Sequence, residues 1–308
     1  MSNTLKADLW LLLVTLLAAI SWMFSKEAIS VMPPFLFTSL RFFMAGLVLI
    51  LFGWQQVKLL DLSQYFQAIR VGSVFTAGMC FWIMGVNSGV SLSIGGFLTS
   101  LAVVMVPAFS KLFFNEPLAK STWLAMPVAT MGLAVLSLKT GLKMDAGQLY
   151  FIYSAFFFAF FFILNTQAAN QREAQLTRRA SKRVPPLPLT AISLLTVGVL
   201  AGFLSFILEP WAPLFNDFST DLMGWLLASA FIGTALRFFI QTYAQSLSAS
   251  SHGVVIMVLE PVWTALLAAV WFAEQLSGSD LLACSLIFLS LLINRWSSIS
   301  SLLKVRVS

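Results

Sequence analysis

Charge is scarce in this chain. Asp, Glu, Lys and Arg make up only 10% of its 308 residues, while 59% are apolar. A soluble domain carries about 25% charged residues, so this composition belongs in lipid. Histidine occurs once, which makes a multi-histidine metal centre impossible. The two cysteines, Cys80 and Cys284, stand far apart in apolar runs without CxxC or zinc spacing, and they read as small core residues. HExxH, GxSxG and P-loop motifs are absent, as are carboxylates clustered within one apolar run. No catalytic residues are assigned, no enzyme is expected, and no metal or organic cofactor is indicated. The net charge of +6 would suggest nucleic acid only if its placement were ignored.

What the chain has instead is apolar length. A helix crosses hydrocarbon in about 20 residues. Ten runs meet that need: 9–29, 35–53, 66–87, 93–114, 122–139, 147–168, 187–208, 222–244, 252–272 and 279–296. The first follows MSNTLKADLW and is read as a retained span rather than a secretory leader, because similar runs follow and no cleavage site stands out. Lys and Arg indicate orientation. With the N-terminus inside, thirteen of the eighteen sit at inner ends, and only Lys26, Lys139 and Lys143 fall outside. Arg41 and Arg237 lie within spans. The bias predicts a multi-pass protein of a bacterial inner membrane with both termini cytoplasmic. The basic link 170–189 reads as a cytoplasmic topology anchor.

The chain also repeats itself. Laying SLSIGGFLTSLAVVMVPAF (91–109) over SLSASSHGVVIMVLEPVW (246–263) places Gly78 on Gly233, Ser91 on Ser246 and, after a one-residue gap, Pro107 on Pro261. Each copy reaches a glutamate, Glu116 in FFNEPL and Glu274 in WFAEQL. Five spans per copy is an odd number, so the second copy enters from the opposite face. The expected fold is an all-α membrane protein, ten transmembrane helices forming two inverted five-helix repeats (1–143 and 144–308) around a central cavity. Such repeats are common in secondary transporters, whose substrate site lies near the midplane between the halves.

The stretch SWMFSKEAISVMPPFLFTSLRFFMAGL holds Trp22, Lys26, Pro33-Pro34 and Arg41. It resembles the opening pattern of the EamA family of the drug/metabolite transporter superfamily. The Pro-plus-Glu signature of each repeat's fourth span resembles Pro107/Glu116 and Pro261/Glu274. Trp22 stands closer to Lys26 than is usual in that family, and the Pro-to-Glu spacing is nine in one copy and thirteen in the other. The resemblance covers nearly the whole chain. It implies export of small metabolites, often amino acids or related compounds, through a central cavity.

Charge inside the bilayer is costly, about 2.5–3.5 kcal/mol for an Arg, Lys or Asp at a helix centre, so Arg41, Arg237 and Glu260 need partners or water. Arg237 precedes Ser246 by nine residues and Glu260 follows Ser251 by nine. At a rise of 1.5 Å per residue both lie about 13 Å from one turn, at matching depth on neighbouring antiparallel helices. The pair is expected to face the cavity and interact. Pro261 cannot bond the carbonyl of Met257, which would leave that oxygen beside the carboxylate. A free carbonyl with a carboxylate suits an ammonium, and Arg237 suits a carboxylate, so the expected substrate is a zwitterion such as an amino acid, with coupling to protons or exchange left open. In the repeat register the counterparts are Trp82 and Val106, which confines the polar chemistry to the second half.

Trp22, Trp82, Tyr153, Phe157 and Gln241 complete the expected substrate-binding or coupling set. In YFIYSAFFFAFFF, residues 150–162, nine of thirteen are aromatic and cover every helix face. Arg41 is read as snorkelling or capping carbonyls, or as a gate against Glu27 or Glu274. His252, at the mouth of its span, is a further gating candidate. The partners expected are a small molecule and the lipid bilayer, for a monomer or homodimer with no nucleic acid. A multidrug or other metabolite carrier and a lipid-translocating protein remain alternatives.

Overall fold

A computed structural model of the chain describes residues 3–114, 120–138, 145–169, 183–211, 219–247, 259–294 and 296. All regular structure among these is helical. The helices are α1 (Asn3–Ile29), α2 (Pro34–Lys58), α3 (Leu62–Asn87), α4 (Leu92–Phe114), α5 (Lys120–Leu138), α6 (Ala146–Ala169) and α7 (Pro186–Leu208). Then α8 runs as two α-helical stretches, Thr220–Ala230 and Arg237–Leu247, joined by a π-helical segment, Phe231–Leu236. Last come α9 (Glu260–Phe272) and α10 (Gly278–Asn294). Each of the ten expected runs coincides with one of these helices, the ninth being described from Leu259 onward. Seven, α1–α4 and α6–α8, are long and apolar enough to cross a membrane, while α5, α9 and α10 contribute shorter apolar stretches.

Local chemistry sets the helix starts. Asp61 and Gln64 form a capping box at α3, each side chain accepting the other's backbone N–H at 2.9 Å. Helix α2 begins at Pro34, whose missing N–H removes one orphan donor. The next two donors, Phe35 N–H and Leu36 N–H, are taken by Glu209 from the end of α7 at 2.7 and 2.9 Å. Glu274, just past α9, does the same for α4. Its carboxylate accepts from Leu92 N–H at 2.8 Å, Ser93 N–H at 3.2 Å and the hydroxyls of Ser91 and Ser93 at 2.7 and 2.9 Å. Negative charge at a helix N-terminus also meets the positive end of the helix dipole. These two carboxylates therefore tie helices distant in sequence.

Small residues set the packing. Helices α2, α3 and α7 pack together, as do α3 and α4 against α6, α1 against α8 and α9, α4 against α9, and α5 against α10. At the α2–α7 contact a Cβ on Gly198 would lie 2.7 Å from the Phe43 backbone nitrogen, and one on Gly46 would lie 2.7 Å from the Leu195 side chain. Only hydrogen at these positions lets the two backbones approach so closely. Outward-facing Leu51, Phe52, Phe206 and Val270 are exposed. An apolar exterior of this kind suits a lipid solvent.

Candidate functional site

The π-helical segment of α8 brings the polar groups together. In a π-helix one residue is gained per turn and a backbone carbonyl loses its usual partner, a distortion frequent at functional sites. Here Thr234 Oγ1 donates to the Ser229 carbonyl, five residues back, at 2.8 Å. Gly233 lies so close to α1 that a Cβ there would stand 2.5 Å from Ser21 Oγ. The segment ends at Arg237, on the wall of a cavity of about 60 Å³. At about 10–15 Å³ of such volume per molecule, this admits a few waters or a very small solute.

Six other helices supply the rest of the wall. From α1 come Ala18, Ser21 and Trp22; from α2, Arg41; from α3, Met79 and Trp82. Helix α4 adds Gly96, Thr99, Ser100, Ala102 and Val103, α6 adds Phe158 and Phe162, and α9 adds Glu260 and Pro261. Arg237 Nη2 donates to Glu260 Oε2 at 3.3 Å. Trp22 Nε1 donates to the other oxygen, Oε1, at 3.4 Å. Trp22 also packs edge-on against Trp82, ring centres 4.8 Å apart. The guanidinium of Arg237 lies 4.4 Å over the Phe238 ring, and its Nε is buried without a partner among the described residues.

Arg41 differs from expectation. It neither snorkels nor meets Glu27 or Glu274. It is 2% exposed and points into the bundle. Its Nε donates to Thr234 Oγ1 at 2.7 Å, Nη1 to Ser25 Oγ at 2.6 Å and Nη2 to Ser21 Oγ at 3.0 Å. Three rings surround its guanidinium, those of Phe37, Phe42 and Trp82, at 5.6, 5.1 and 5.7 Å. The hydroxyls of α1 and the π-helical segment face α2 at this level, so the side chain turns inward instead of toward the helix end. Polar chemistry is thus not confined to the second half. Glu27 is occupied elsewhere, accepting from Trp271 Nε1 at 2.9 Å.

The structure groups Glu260, Arg237, Pro261, Trp22, Trp82 and Arg41 at one cavity, while Tyr153, Phe157 and Gln241 are not on its wall. Tyr153 is half exposed and packs on Phe81, ring centres 5.4 Å apart. Phe157 stacks on the same ring at 5.7 Å. Their neighbours Phe158 and Phe162, four residues apart on one helix face, reach the cavity instead. Gln241 is buried one turn beyond Arg237, and neither end of its amide has a partner among the described residues. Pro261 occupies the first turn of the described α9, while Met257, His252 and Glu116 lie outside the described residues. Sequence reasoning also missed Thr99, whose buried hydroxyl has no partner among the described residues. A lone Thr in an apolar run carries no periodic signal that would single it out.

A helical bundle with an apolar exterior and a charged cavity marks a multi-pass membrane protein. The EamA-like transporter family matches residues 5–138 and again 145–296, and the chain belongs to that family. A protein of Archaeoglobus fulgidus described as an uncharacterized transporter is 26% identical over 292 residues, covering 94% of this chain and 85% of that one. A solved crystal structure superposes with a TM-score of 0.65 at 19% identity, covering 95% of this chain and 98% of its own, and so shares the fold. The chain is a membrane transporter by family.

Proposed function

We propose that the protein is a secondary transporter that exports small metabolites, amino acids or related compounds foremost, by alternating access around the Arg237–Glu260 site. One observation carries the reading: an ion pair in the apolar interior lines a cavity where α1, α4, α8 and α9 meet. Intramembrane ionisable groups serve transport pathways by default, since their insertion is costly.

The inverted ten-helix repeat is part of the proposal. The family matches twice, on 5–138 and 145–296. Exchanging α1–α5 with α6–α10 maps the contact of α3 with α6 onto that of α8 with α1, and the α2–α7, α5–α10 and α4–α9 contacts onto themselves. Gly78 and Gly233, paired in the repeat register, are both close-approach points, toward Phe158 and Ser21. The charge bias of the links supports cytoplasmic termini in a bacterial inner membrane.

The test is efflux from proteoliposomes preloaded with a mixed amino-acid pool, with and without an imposed pH gradient. Glu260→Gln and Arg237→Gln should each abolish selective release while the folded yield in detergent stays near that of the wild type. Undiminished release from either variant would reduce the pair to a structural one.

A further inference from the structure

The cavity holds more positive than negative charge. Arg41 and Arg237 line it, and among the described residues Glu260 is the carboxylate that does so. Two positive charges against one negative leave +1, because a guanidinium stays protonated in a protein. Arg237 shares Glu260. Arg41 has three neutral hydroxyls and three aromatic rings, with no carboxylate partner among the described residues. Three other glutamates near helix ends are engaged elsewhere: Glu209 caps α2, Glu274 caps α4, and Glu27 accepts from Trp271. Hydroxyls orient a guanidinium but do not neutralise it, and a charge buried in apolar surroundings calls for a counter-ion.

We infer that Arg41 is the anchor of an anion site, and that the cavity takes a solute bearing one net negative charge, a small carboxylate or an acidic amino acid in preference to a net-neutral zwitterion. This rests on the reading of the cavity as the substrate site. A planar guanidinium matches a carboxylate in a fork that a single ammonium does not offer. Arg237 Nε and Thr99 Oγ1, both buried and unpartnered among the described residues, supply two further donors at the same wall. A monoanion balances the site's excess charge, whereas a net-neutral zwitterion leaves it unchanged. The small volume favours a ligand of acetate size in this conformation.

The probe is iodide, a monoanion that quenches tryptophan fluorescence, and Trp22 and Trp82 stand at the cavity. Wild-type protein in nanodiscs should show a saturable quenching component that Trp22→Phe/Trp82→Phe lacks. Acetate should displace it at a concentration about tenfold lower than glycine does, the scale of one charge-assisted hydrogen bond. Arg41→Gln should remove the saturable component, and Arg41→Lys should keep it in weakened form, with quenching by neutral acrylamide unchanged in both. Absence of a saturable component in the wild type overturns the proposal, as does equal displacement by acetate and glycine. The wild-type measurements decide it even if the Arg41 variants fold poorly. An intact anion site in a protein that moves no solute would refute transport through this cavity but not the anion site; efflux of zwitterions without iodide saturation would do the reverse.

Discussion

Glu260 has one partner for each oxygen, and they differ in kind. Arg237 offers charge at 3.3 Å, Trp22 an indole N–H at 3.4 Å. Both distances are long for charge-assisted contacts, which favour about 2.7–2.9 Å. A substrate group could therefore displace either partner without breaking an optimal bond. The aromatic wall of α6 shows what residue identity alone conceals. Phe158 and Phe162 reach the cavity while Tyr153 and Phe157 pack against Phe81. With aromatics on every face of YFIYSAFFFAFFF, side-chain type holds no record of which face turns inward, and one residue of helical rotation separates the two sets. Phe158→Ala should change the KM for the transported solute by about tenfold, the scale of a lost pocket contact. Tyr153→Phe should leave initial efflux rates unchanged, because that hydroxyl is remote from the site. Equal effects of the two would place the cavity on the wrong face of α6.

The end of α9 shows how one element positions another. Ala273 takes a left-handed backbone conformation, φ 52° and ψ 33°, and terminates the helix. The turn aims Glu274 at the N-terminus of α4, where it accepts four hydrogen bonds. A non-glycine residue in that conformation costs about 1–2 kcal/mol. Ala273→Gly should therefore raise stability by about 1 kcal/mol, read as a higher midpoint in detergent melts. Glu274→Gln keeps the shape but removes the charge. It should lower stability by about 1–2 kcal/mol, the range of a lost cap. A gain in stability for Glu274→Gln would contradict the capping role. The glutamate of WFAEQL was visible as a repeat marker, but its target was not, since 181 residues separate it from Ser93. The π-helical segment was likewise unreadable. FIGTAL reads as an ordinary helical run, and the extra residue per turn arises where α8 meets Ser21 and Arg41.

At the scale of the molecule, close contact between α2 and α7 joins the two halves. Gly198→Val should force the helices apart, lowering stability by about 1–3 kcal/mol through overpacking and reducing folded yield on size exclusion. Gly224→Ala is the matched control. Nothing lies within 4 Å of a Cβ at that position, so the substitution should be neutral or stabilising by up to about 1 kcal/mol. Equal losses for both would mean that glycine spacing does not set the α2–α7 approach.

Composition, apolar run length and proline placement were enough to locate all ten helical runs, because a helix in lipid must satisfy its own backbone and needs a nearly unbroken apolar stretch to do so. Rarity exposed Arg237 and Glu260, since a charge in such a stretch stands out at once. The placement of Arg41 was decided only by tertiary structure. Its chain position near the end of α2 suggested snorkelling, yet hydroxyls from α1 and α8, 16, 20 and 193 residues away, hold it inside the bundle. Which helix faces turn inward, and hence the net charge of the cavity, follows from how seven helices pack at once. That information resides in contacts between segments rather than in any one of them.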